Sequence, residues 1–153
     1  MAGLDELDQA LLRELQRDAR RTNRELAAAT GVSPSTSLER VRSLRERGVI
    51  RGYNVDLDLG ALGRPVQALI AVRIRPPSRR VIEAFREWVA QLPETVGVFV
   101  VTGGEDFLVH VAVPDNDSLY AFVIDRLTQR QEVADVRTNV IYEHIRSPVI
   151  EPA

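Results

Sequence analysis

A short N-terminal segment carries two helix-start signals separated by a helix stop. Thr22 with Glu25 three residues later forms a capping box, in which each side chain can hydrogen-bond a backbone N–H at the start of a helix. Gly31 can end that helix in a left-handed conformation. Ser33 can cap a second helix whose first residue is Pro34. Two capped helices joined by a tight turn predict a helix-turn-helix, the arrangement that places its second helix in the major groove of DNA.

An apolar stripe precedes this segment and offers the two short helices a surface to pack on. Leucines recur at helical spacing at Leu4, Leu7, Leu11, Leu12 and Leu15. Inside the capped helices, the residues expected to face the same core are Leu26, Ala27, Thr30, Val41 and Leu44. Gly48 is expected to end the second helix, and residues 49–57 carry the pattern of a short strand or wing. Residues 1–57 therefore predict a winged helix-turn-helix DNA-binding domain.

The composition limits the class of protein. The chain has 153 residues, of which 44% are hydrophobic and 27% charged, as in an ordered globular protein. It contains no cysteine, which excludes disulfides, thiol nucleophiles and cysteine-based metal centres. No apolar run approaches the roughly 18 residues of a membrane span, and the N-terminal MAGLDELD is acidic where a signal peptide is basic. These features predict a cytoplasmic protein.

The charge is distributed unevenly along the chain, whose overall net charge is −2. All twenty basic residues are arginine. Between Arg13 and Arg51, ten arginines and five acidic residues leave a net charge of +5, whereas the net charge from Asp56 onward is −4. The positive charge thus coincides with the predicted helix-turn-helix, as neutralisation of DNA phosphates requires.

The hydrophobic period changes after a linker at residues 58–65. Apolar runs predict four strands and two helices: strands Val66–Ile74, Val96–Val101, Phe107–Val113 and Val136–Tyr142, and helices after Ser78 and after Asp117 or Ser118. This β-α-β-β-α-β order predicts an α+β, ferredoxin-like domain over residues 66–153, with an antiparallel sheet and helices on one face. The first strand is apolar on both alternations, so the other face needs a cover as well. A second subunit is the expected cover, which predicts at least a dimer.

The exposed face of the second capped helix carries the candidates for DNA contact. These are Ser33, Pro34, Ser35, Thr36, Glu39, Arg40, Arg42 and Ser43, with Arg51 from the segment that follows. N–H groups at the helix start can bind a phosphate, hydroxyls can contact bases or backbone, and arginine is the commonest reader of guanine. Each of these residues could instead be solvated or held in a salt bridge within the domain. Arg40 is the most ambiguous, since Glu46 or an acid of the first helix could hold it. The arginines that fit phosphate better than bases are Arg20, Arg21, Arg24 and Arg51.

A second candidate site is the turn between the second and third strands. Its glycines let the backbone adopt positive φ and expose N–H groups that suit a carboxylate, while Asp106 could accept an ammonium. These groups together suit the zwitterionic end of an α-amino acid, and Glu105 would favour a basic or polar ligand side chain. A Gly-Gly turn that simply joins two strands is the alternative. The candidate effector-binding residues are Thr102, Gly103, Gly104, Glu105, Asp106 and Thr138.

The chain lacks the residue patterns that enzymatic catalysis would need. His110 and His144, the two histidines, have no partner at metal-ligand spacing, and the chain has neither a phosphate-binding loop nor a dinucleotide fingerprint. Glu105 and Asp106 are adjacent, and adjacent side chains diverge, which does not suit shared acid–base work. We therefore predict no catalytic residue, no metal and no cofactor.

Three motifs resemble those of the Lrp/AsnC family of transcription regulators, also called feast/famine regulators. They are LDELDQALLRELQRDAR, ELAAATGVSPSTSLERVRSLRERGVIRGY and VVTGGEDFLVHV. The resemblance implies an N-terminal DNA-binding domain and a C-terminal ferredoxin-like domain that dimerises, often assembles into octamers, and in many members binds an amino acid between subunits. Two positions depart from the family pattern. Ser37 stands where Val or Cys is more common, for which Leu38 could compensate, and Glu105 precedes the expected Asp.

The sequence thus predicts a sequence-specific transcription regulator of Lrp/AsnC type, bound to a two-fold related operator in double-stranded DNA. An amino acid at subunit interfaces of the C-terminal domain is expected to modulate it by changing the spacing of paired recognition helices. Both a dimer and an octamer fit this pattern. One alternative is an effector-independent, nucleoid-like protein that bends DNA. Another is a stand-alone small-molecule sensor that docks protein rather than DNA.

Overall fold

The computed structural model describes residues 3–153, which form two compact units: residues 3–56 with 145–153, and residues 57–144. The first unit contains helices α1 (Glu6–Arg17), α2 (Asn23–Thr30) and α3 (Pro34–Glu46). The second contains β1 (Val66–Ile74), α4 (Arg79–Ala90), β2 (Thr95–Val100), β3 (Phe107–Val113), α5 (Asn116–Ala121) with a π-helical continuation at Phe122–Leu127, and β4 (Val133–Val140).

The capping signals act as the sequence predicts. The Thr22 side chain accepts from the Glu25 N–H while Glu25 accepts from the Thr22 N–H at 2.7 Å, which completes the capping box of α2. Gly31 ends α2 with a φ of 71°, and Ser33 caps α3 with Pro34 at its first position. The short link between the two caps produces the helix-turn-helix.

The core of the first unit forms where the three helices meet. Leu11, Leu15 and Leu26 are buried together, and the partly buried Leu7, Val41 and Ile50 pack against them. Leu44 and Ala27 are buried as predicted. Leu38 does not compensate for Ser37: Ser37 is fully buried, whereas Leu38 is 60% exposed. Neighbouring residues on a helix point in different directions, so Leu38 cannot fill the space beside Ser37.

The expected wing is absent from the described part of the chain. Residues 51–58 form no strand, although apolar side chains alternate along them. A strand needs a hydrogen-bonded neighbour, and no other described segment pairs with this one. Tyr53, Val55 and Leu57 are consequently exposed.

The C-terminal residues belong to the first unit, whereas the boundary drawn from the sequence placed them in the C-terminal domain. Glu151 accepts from the Arg13 guanidinium on α1 at 2.7 and 3.2 Å. The side-chain amide of Gln16 both donates to the Ile150 carbonyl at 3.1 Å and accepts from the Ile150 N–H at 2.8 Å. A side-chain amide that pairs with a peptide group in this way holds the terminal segment on α1.

The second unit is a four-stranded antiparallel sheet of order β2-β3-β1-β4 with the helices on one face, the predicted ferredoxin-like arrangement. Its core lies between sheet and helices around Ile70, Val72, Phe85 and Phe107. Compared with the prediction, α5 begins earlier, at Asn116, because Asp115 caps it, and β4 covers Val133–Val140 rather than 136–142.

The other sheet face is apolar at its centre. Cross-strand pairing places Leu69 opposite His110, Ala71 opposite Leu108, and Leu108 opposite Phe99 on this face. Phe99, on the edge strand β2, is 57% exposed, which is a large exposed fraction for a phenylalanine. The face that the sequence predicts to need a cover therefore stays open in the single chain.

Candidate nucleic-acid interface and effector loop

Helix α3 presents a polar face with one apolar residue in it. Ser35 and Glu39 are exposed, the Arg42 side chain is 79% exposed, and Leu38 lies among them. An exposed leucine beside hydroxyl and guanidinium groups suits contact with a thymine methyl group in the major groove. Leu38, which was expected to compensate for Ser37 in the core, is therefore an additional candidate for DNA contact.

The start of α3 is organised by hydroxyl groups. Ser33 Oγ accepts from the Thr36 N–H at 3.1 Å and lies 2.9 Å and 2.8 Å from the hydroxyls of Ser35 and Thr36. The Pro34 carbonyl accepts from Asn23 Nδ2 on α2 at 2.6 Å. Three hydroxyls and the first N–H groups of the helix thus cluster where a phosphate would be favoured. Ser43, half-buried near the middle of the helix, lies apart from this group.

Arg40 is held by acids of the first helix segment, which is one of the alternatives left open by the sequence. Its guanidinium lies 2.7 Å from Asp5 and 3.3 Å from Asp8. Asp8 is buried, with 3% of its side chain exposed, and Arg47 contacts its other oxygen at 3.2 Å. Hydrogen bonding to Asp5 raises the pKa of Arg40 above its usual range. These bonds join α3 to α1, and they leave Arg40 poorly placed for base contact.

Arg42 is the opposite case. Among residues 3–153 its ion-pair partner is Glu46, one turn along the same helix, at 2.8 Å, and both side chains are mostly exposed. Such a pair contributes little to stability and exchanges readily for a phosphate. A cleft of about 430 Å³ beside it is lined by Arg42, Arg45, Glu46, Ile50 and Arg51. Arg45, which the sequence analysis did not select, completes three guanidiniums around this cleft.

The remaining arginines selected for phosphate differ in how they are engaged. Arg21 is bound to Glu14 at 2.6 Å, so it is already partly neutralised. Arg20, Arg24 and Arg51 form no ion pair with any residue in the range 3–153. The unengaged positive charge therefore lies around α2 and the end of α3.

The loop between β2 and β3 is tied down by arginines from neighbouring strands. Gly103 adopts a φ of +126°, the positive value that the Gly-Gly pair was expected to allow. Arg73 of β1 donates through Nε to the Gly104 carbonyl at 2.6 Å and also through a terminal nitrogen. Arg137 of β4 forms a salt bridge with Glu105. Neither arginine was selected from the sequence, since only the strand register reveals that they reach the loop.

Asp106 already has a structural role. Its Oδ2 accepts from the Ile74 N–H at 2.7 Å, where β1 is irregularly paired with β4, and lies 3.8 Å from the Arg75 guanidinium. A ligand ammonium would share this carboxylate with the backbone of β1. Thr102 is exposed beside the loop.

The structure does not bring Thr138 to the loop within one chain. Thr138 pairs with Ile70, whose side chain is in the core, so it faces the helix side of the sheet. Arg137 pairs with Ala71 and occupies the opposite face. Thr138 remains a candidate only for a pocket that another subunit completes.

His110 is nearly buried and contacts neighbouring side chains. It is 9% exposed, its Nε2 lies 3.0 Å from Gln67 Oε1, and the His144 ring is 6.1 Å away in an edge-on arrangement. In the part of the chain that the structure describes, no group of three potential metal ligands occurs. Likewise, none of the helices within residues 3–153 combines the length and apolar character needed to cross a membrane.

These features define a class of protein: a helix-turn-helix DNA-binding unit joined to a ferredoxin-like unit with a structured loop. Comparison with known proteins agrees with both parts. The AsnC-type helix-turn-helix domain matches residues 4–45, and the Lrp/AsnC ligand binding domain matches residues 67–149. The chain belongs to the Lrp/AsnC family of transcription regulators, as its motifs predicted.

Individual relatives cover nearly the whole chain. The HTH-type transcriptional regulator AldR of Mycolicibacterium smegmatis is 40% identical over 94% of this chain and 84% of its own length. The leucine-responsive regulatory protein of Rhizobium meliloti is 38% identical over 94% of this chain and 92% of its own. A crystal structure of a Neisseria meningitidis transcriptional regulator in complex with L-methionine superposes with a TM-score of 0.87 at 31% identity, covering 95% of this chain and 94% of that one.

The family assignment settles the class of activity. The protein is a DNA-binding transcription regulator and not an enzyme, since its relatives are regulators with the same two domains. The alternative of a sensor that docks protein rather than DNA is wrong, because the helix-turn-helix is of the AsnC DNA-binding type.

Proposed function

We propose that this protein binds a two-fold related operator as a homo-oligomer, and that an α-amino acid bound at the loop of residues 102–106 modulates this binding. Paired α3 helices would enter successive major grooves, and the ferredoxin-like units would assemble the subunits. The target would be DNA in the cytoplasm. Dimer and octamer are both compatible with this proposal.

The exposed face of α3 is the observation that carries the DNA-binding proposal. Ser35, Leu38, Glu39 and Arg42 can reach bases, and the arginine-lined cleft beside Arg45 and Arg51 can receive a phosphate. Arg42 is held only weakly, by its exposed pair with Glu46, and the Ser35 hydroxyl lies in the hydroxyl cluster at the start of the helix. The same helix is fixed on its inner side by Arg40 and Leu44, so its presentation does not depend on DNA.

The open sheet face supports the oligomer. The centre of this face is apolar and consists of Leu69, Ala71, Phe99 and Leu108. In a monomer these side chains would face water. A second copy placed face to face would bury this centre, and polar groups such as Arg73 and Arg137 would lie at the rim. An operator with two-fold symmetry follows from a two-fold symmetric protein.

An amino-acid effector is supported by loop chemistry and by relatives. The loop offers a glycine-rich backbone and a carboxylate, the two groups that a zwitterion needs. One relative is named as leucine-responsive, and another was crystallised with L-methionine. An amino acid bound between subunits would change the spacing of α3 pairs, and hence the operator that fits.

The test is a thermal-shift panel of the twenty amino acids, with oligomer size followed by light scattering and operator binding by anisotropy. A ligand at about 100 times its Kd stabilises the protein by roughly 2.7 kcal/mol. For a chain of this size, this corresponds to a shift of several degrees. A single clear hit that also changes operator affinity supports the proposal, and a panel without any shift contradicts the amino-acid part of it.

An effector-independent, DNA-bending regulator is the second candidate, and a specific observation favours it. Glu105 is paired with Arg137, and Asp106 accepts from Ile74, so both loop acids are engaged without a ligand. On this reading the loop is purely structural. This candidate would be favoured if none of the twenty amino acids shifted the melting temperature while the protein still bound DNA in a salt-dependent way and bent it.

A further inference from the structure

A cleft of about 440 Å³ lies between the start of α4 and the segment before β4. Its charged lining consists of Arg75, Arg80, Arg130 and Glu132, and its apolar wall consists of Pro76, Val81 and Ala84. The lining alone carries a net charge of +2 at neutral pH. Nothing in the proposed function uses this cleft.

We propose that this cleft binds a small phosphate-bearing metabolite. Guanidinium groups form charge-assisted and often bidentate hydrogen bonds with phosphate oxygens, and three of them here border one space. The apolar wall offers a surface for the organic part of the molecule. A volume of a few hundred Å³ is the range in which proteins hold small ligands.

The three arginines differ in how freely they can meet an anion. The Arg80 side chain is exposed and forms no ion pair or hydrogen bond with any residue from 3 to 153. Arg75 donates one terminal N–H to the Ile74 carbonyl at 2.6 Å, and its nearest carboxylate, Asp106, is 3.8 Å away, beyond hydrogen-bond distance. Both side chains therefore retain donors for a phosphate.

Arg130 is fixed in place and acts as the rigid wall of the cleft. It is bound to Glu132 at 2.5 and 2.6 Å, and its guanidinium lies 4.3 Å from the centre of the Trp88 ring. Glu132 neutralises part of its charge, so Arg75 and Arg80 supply most of the attraction. Because Trp88 is the only tryptophan, its fluorescence reports on any change at Arg130.

The experiment titrates the full-length protein with phenyl phosphate at constant ionic strength, by calorimetry and by Trp88 fluorescence. We expect saturable binding with a change in fluorescence. Arg80→Gln should weaken it about tenfold, because a charge-assisted contact is lost. Arg79→Gln is the matched control: Arg79 precedes Arg80 on α4 and does not line the cleft, so affinity should not change. Benzoate, with a carboxylate in place of the phosphate, should bind more weakly than phenyl phosphate.

Three outcomes would overturn the proposal. The first is an absence of saturable binding by the wild-type protein. The second is an equal loss of affinity in Arg79→Gln and Arg80→Gln, which would indicate general surface charge. The third is an Arg80→Gln variant that binds DNA more weakly but phenyl phosphate unchanged, which would make the cleft a DNA-backbone contact. None of these depends on an amino-acid effector, so this test stands apart from the amino-acid panel.

Discussion

Helix α3 and the loop between β2 and β3 use arginine in opposite ways. On α3, Arg42 forms a solvent-exposed pair with Glu46, and the neighbouring arginines line an open cleft. In the loop between β2 and β3, by contrast, the arginines are already bound: Arg73 donates to the Gly104 carbonyl, and Arg137 forms a salt bridge with Glu105. The candidate DNA surface is thus accessible in the free protein, whereas any ligand at the loop would have to replace hydrogen bonds and an ion pair that already exist.

The same contrast appears within α3. Arg40 and Arg42 are two residues apart, yet Arg40 is bound to acids near α1 while Arg42 is exposed. The difference follows from helix geometry, because residues two apart lie on different faces. Arg40, bound to acids of another helix segment, therefore positions α3, whereas the exposed Arg42 is accessible to a ligand such as DNA.

Asp8→Ala should have the largest effect, and it tests whether the buried ion pairs of Arg40 and Arg47 position α3. Asp8 is buried and contacts both Arg40 and Arg47, so its removal leaves two guanidiniums without their shared acceptor. We expect the free energy of unfolding to fall by about 3 kcal/mol, with a parallel loss of operator affinity. Urea denaturation and anisotropy measure the two effects.

Glu6→Ala provides the matched control for Asp8→Ala. Glu6 is exposed at the start of the same helix and forms no ion pair with residues 3–153. Its replacement should change stability by less than about 1 kcal/mol. Equal losses in the two variants would show that the buried network does not position α3.

The next largest effect is expected in the loop, where Asp106→Ala and Asp106→Asn separate structure from binding. Alanine removes the acceptor of the Ile74 N–H and should cost about 2 kcal/mol. Asparagine keeps an acceptor oxygen but loses the charge, so it should restore most of the stability. Chemical denaturation measures this difference.

The same two variants test the proposed effector. If Asp106 binds an ammonium, then Asp106→Asn abolishes the thermal shift caused by the amino acid while the protein stays folded. A thermal shift that survives in Asp106→Asn would remove Asp106 from the effector site and leave it a purely structural residue.

These cases also show which features the sequence could predict. The capping box of Thr22 and Glu25, the left-handed Gly31 and the apolar stripes were predictable because they depend on residues within a few positions of each other. The positive φ of Gly103 follows from the same kind of local chemistry. The helices of the first unit and the backbone conformation of these turns could therefore be predicted from local signals, whereas the roles of the two candidate sites stay predictions.

Features that depend on distant residues were not predictable in this way. Arg73 reaches a carbonyl 31 residues further along the chain, and only the register of β1 with β3 and β4 reveals this contact. The segment 51–58 has a strand pattern but no strand partner in one chain. Residues 145–153 return to α1 through Gln16, for which no periodic signal exists.

On the DNA side, Arg42→Ala should change binding without changing the fold. The pair with Glu46 is exposed, so stability should alter by no more than about 0.5 kcal/mol. If Arg42 contacts a phosphate, operator affinity falls and the slope of log K against log salt decreases by about one. Anisotropy titrations at several salt concentrations measure the slope, and an unchanged slope and affinity would exclude Arg42 from the interface.

The smallest effect is expected for Glu151→Gln, which tests whether the exposed pair with Arg13 helps to hold the C-terminal segment. Hydrogen bonding to Arg13 lowers the pKa of Glu151 below its usual range. A carboxyl whose pKa is lower in the folded state stabilises the fold above its unfolded pKa, about 4.3, and loses this effect as the pH falls through the folded value. Wild type should therefore be slightly more stable than Glu151→Gln near neutral pH, and the two should converge in acid. Glu143→Gln, which replaces an exposed glutamate without an ion pair in the described range, is the control and should match the stability of wild type near neutral pH. A difference between wild type and Glu151→Gln that persists in acid would assign the effect to packing of the side chain instead of its charge.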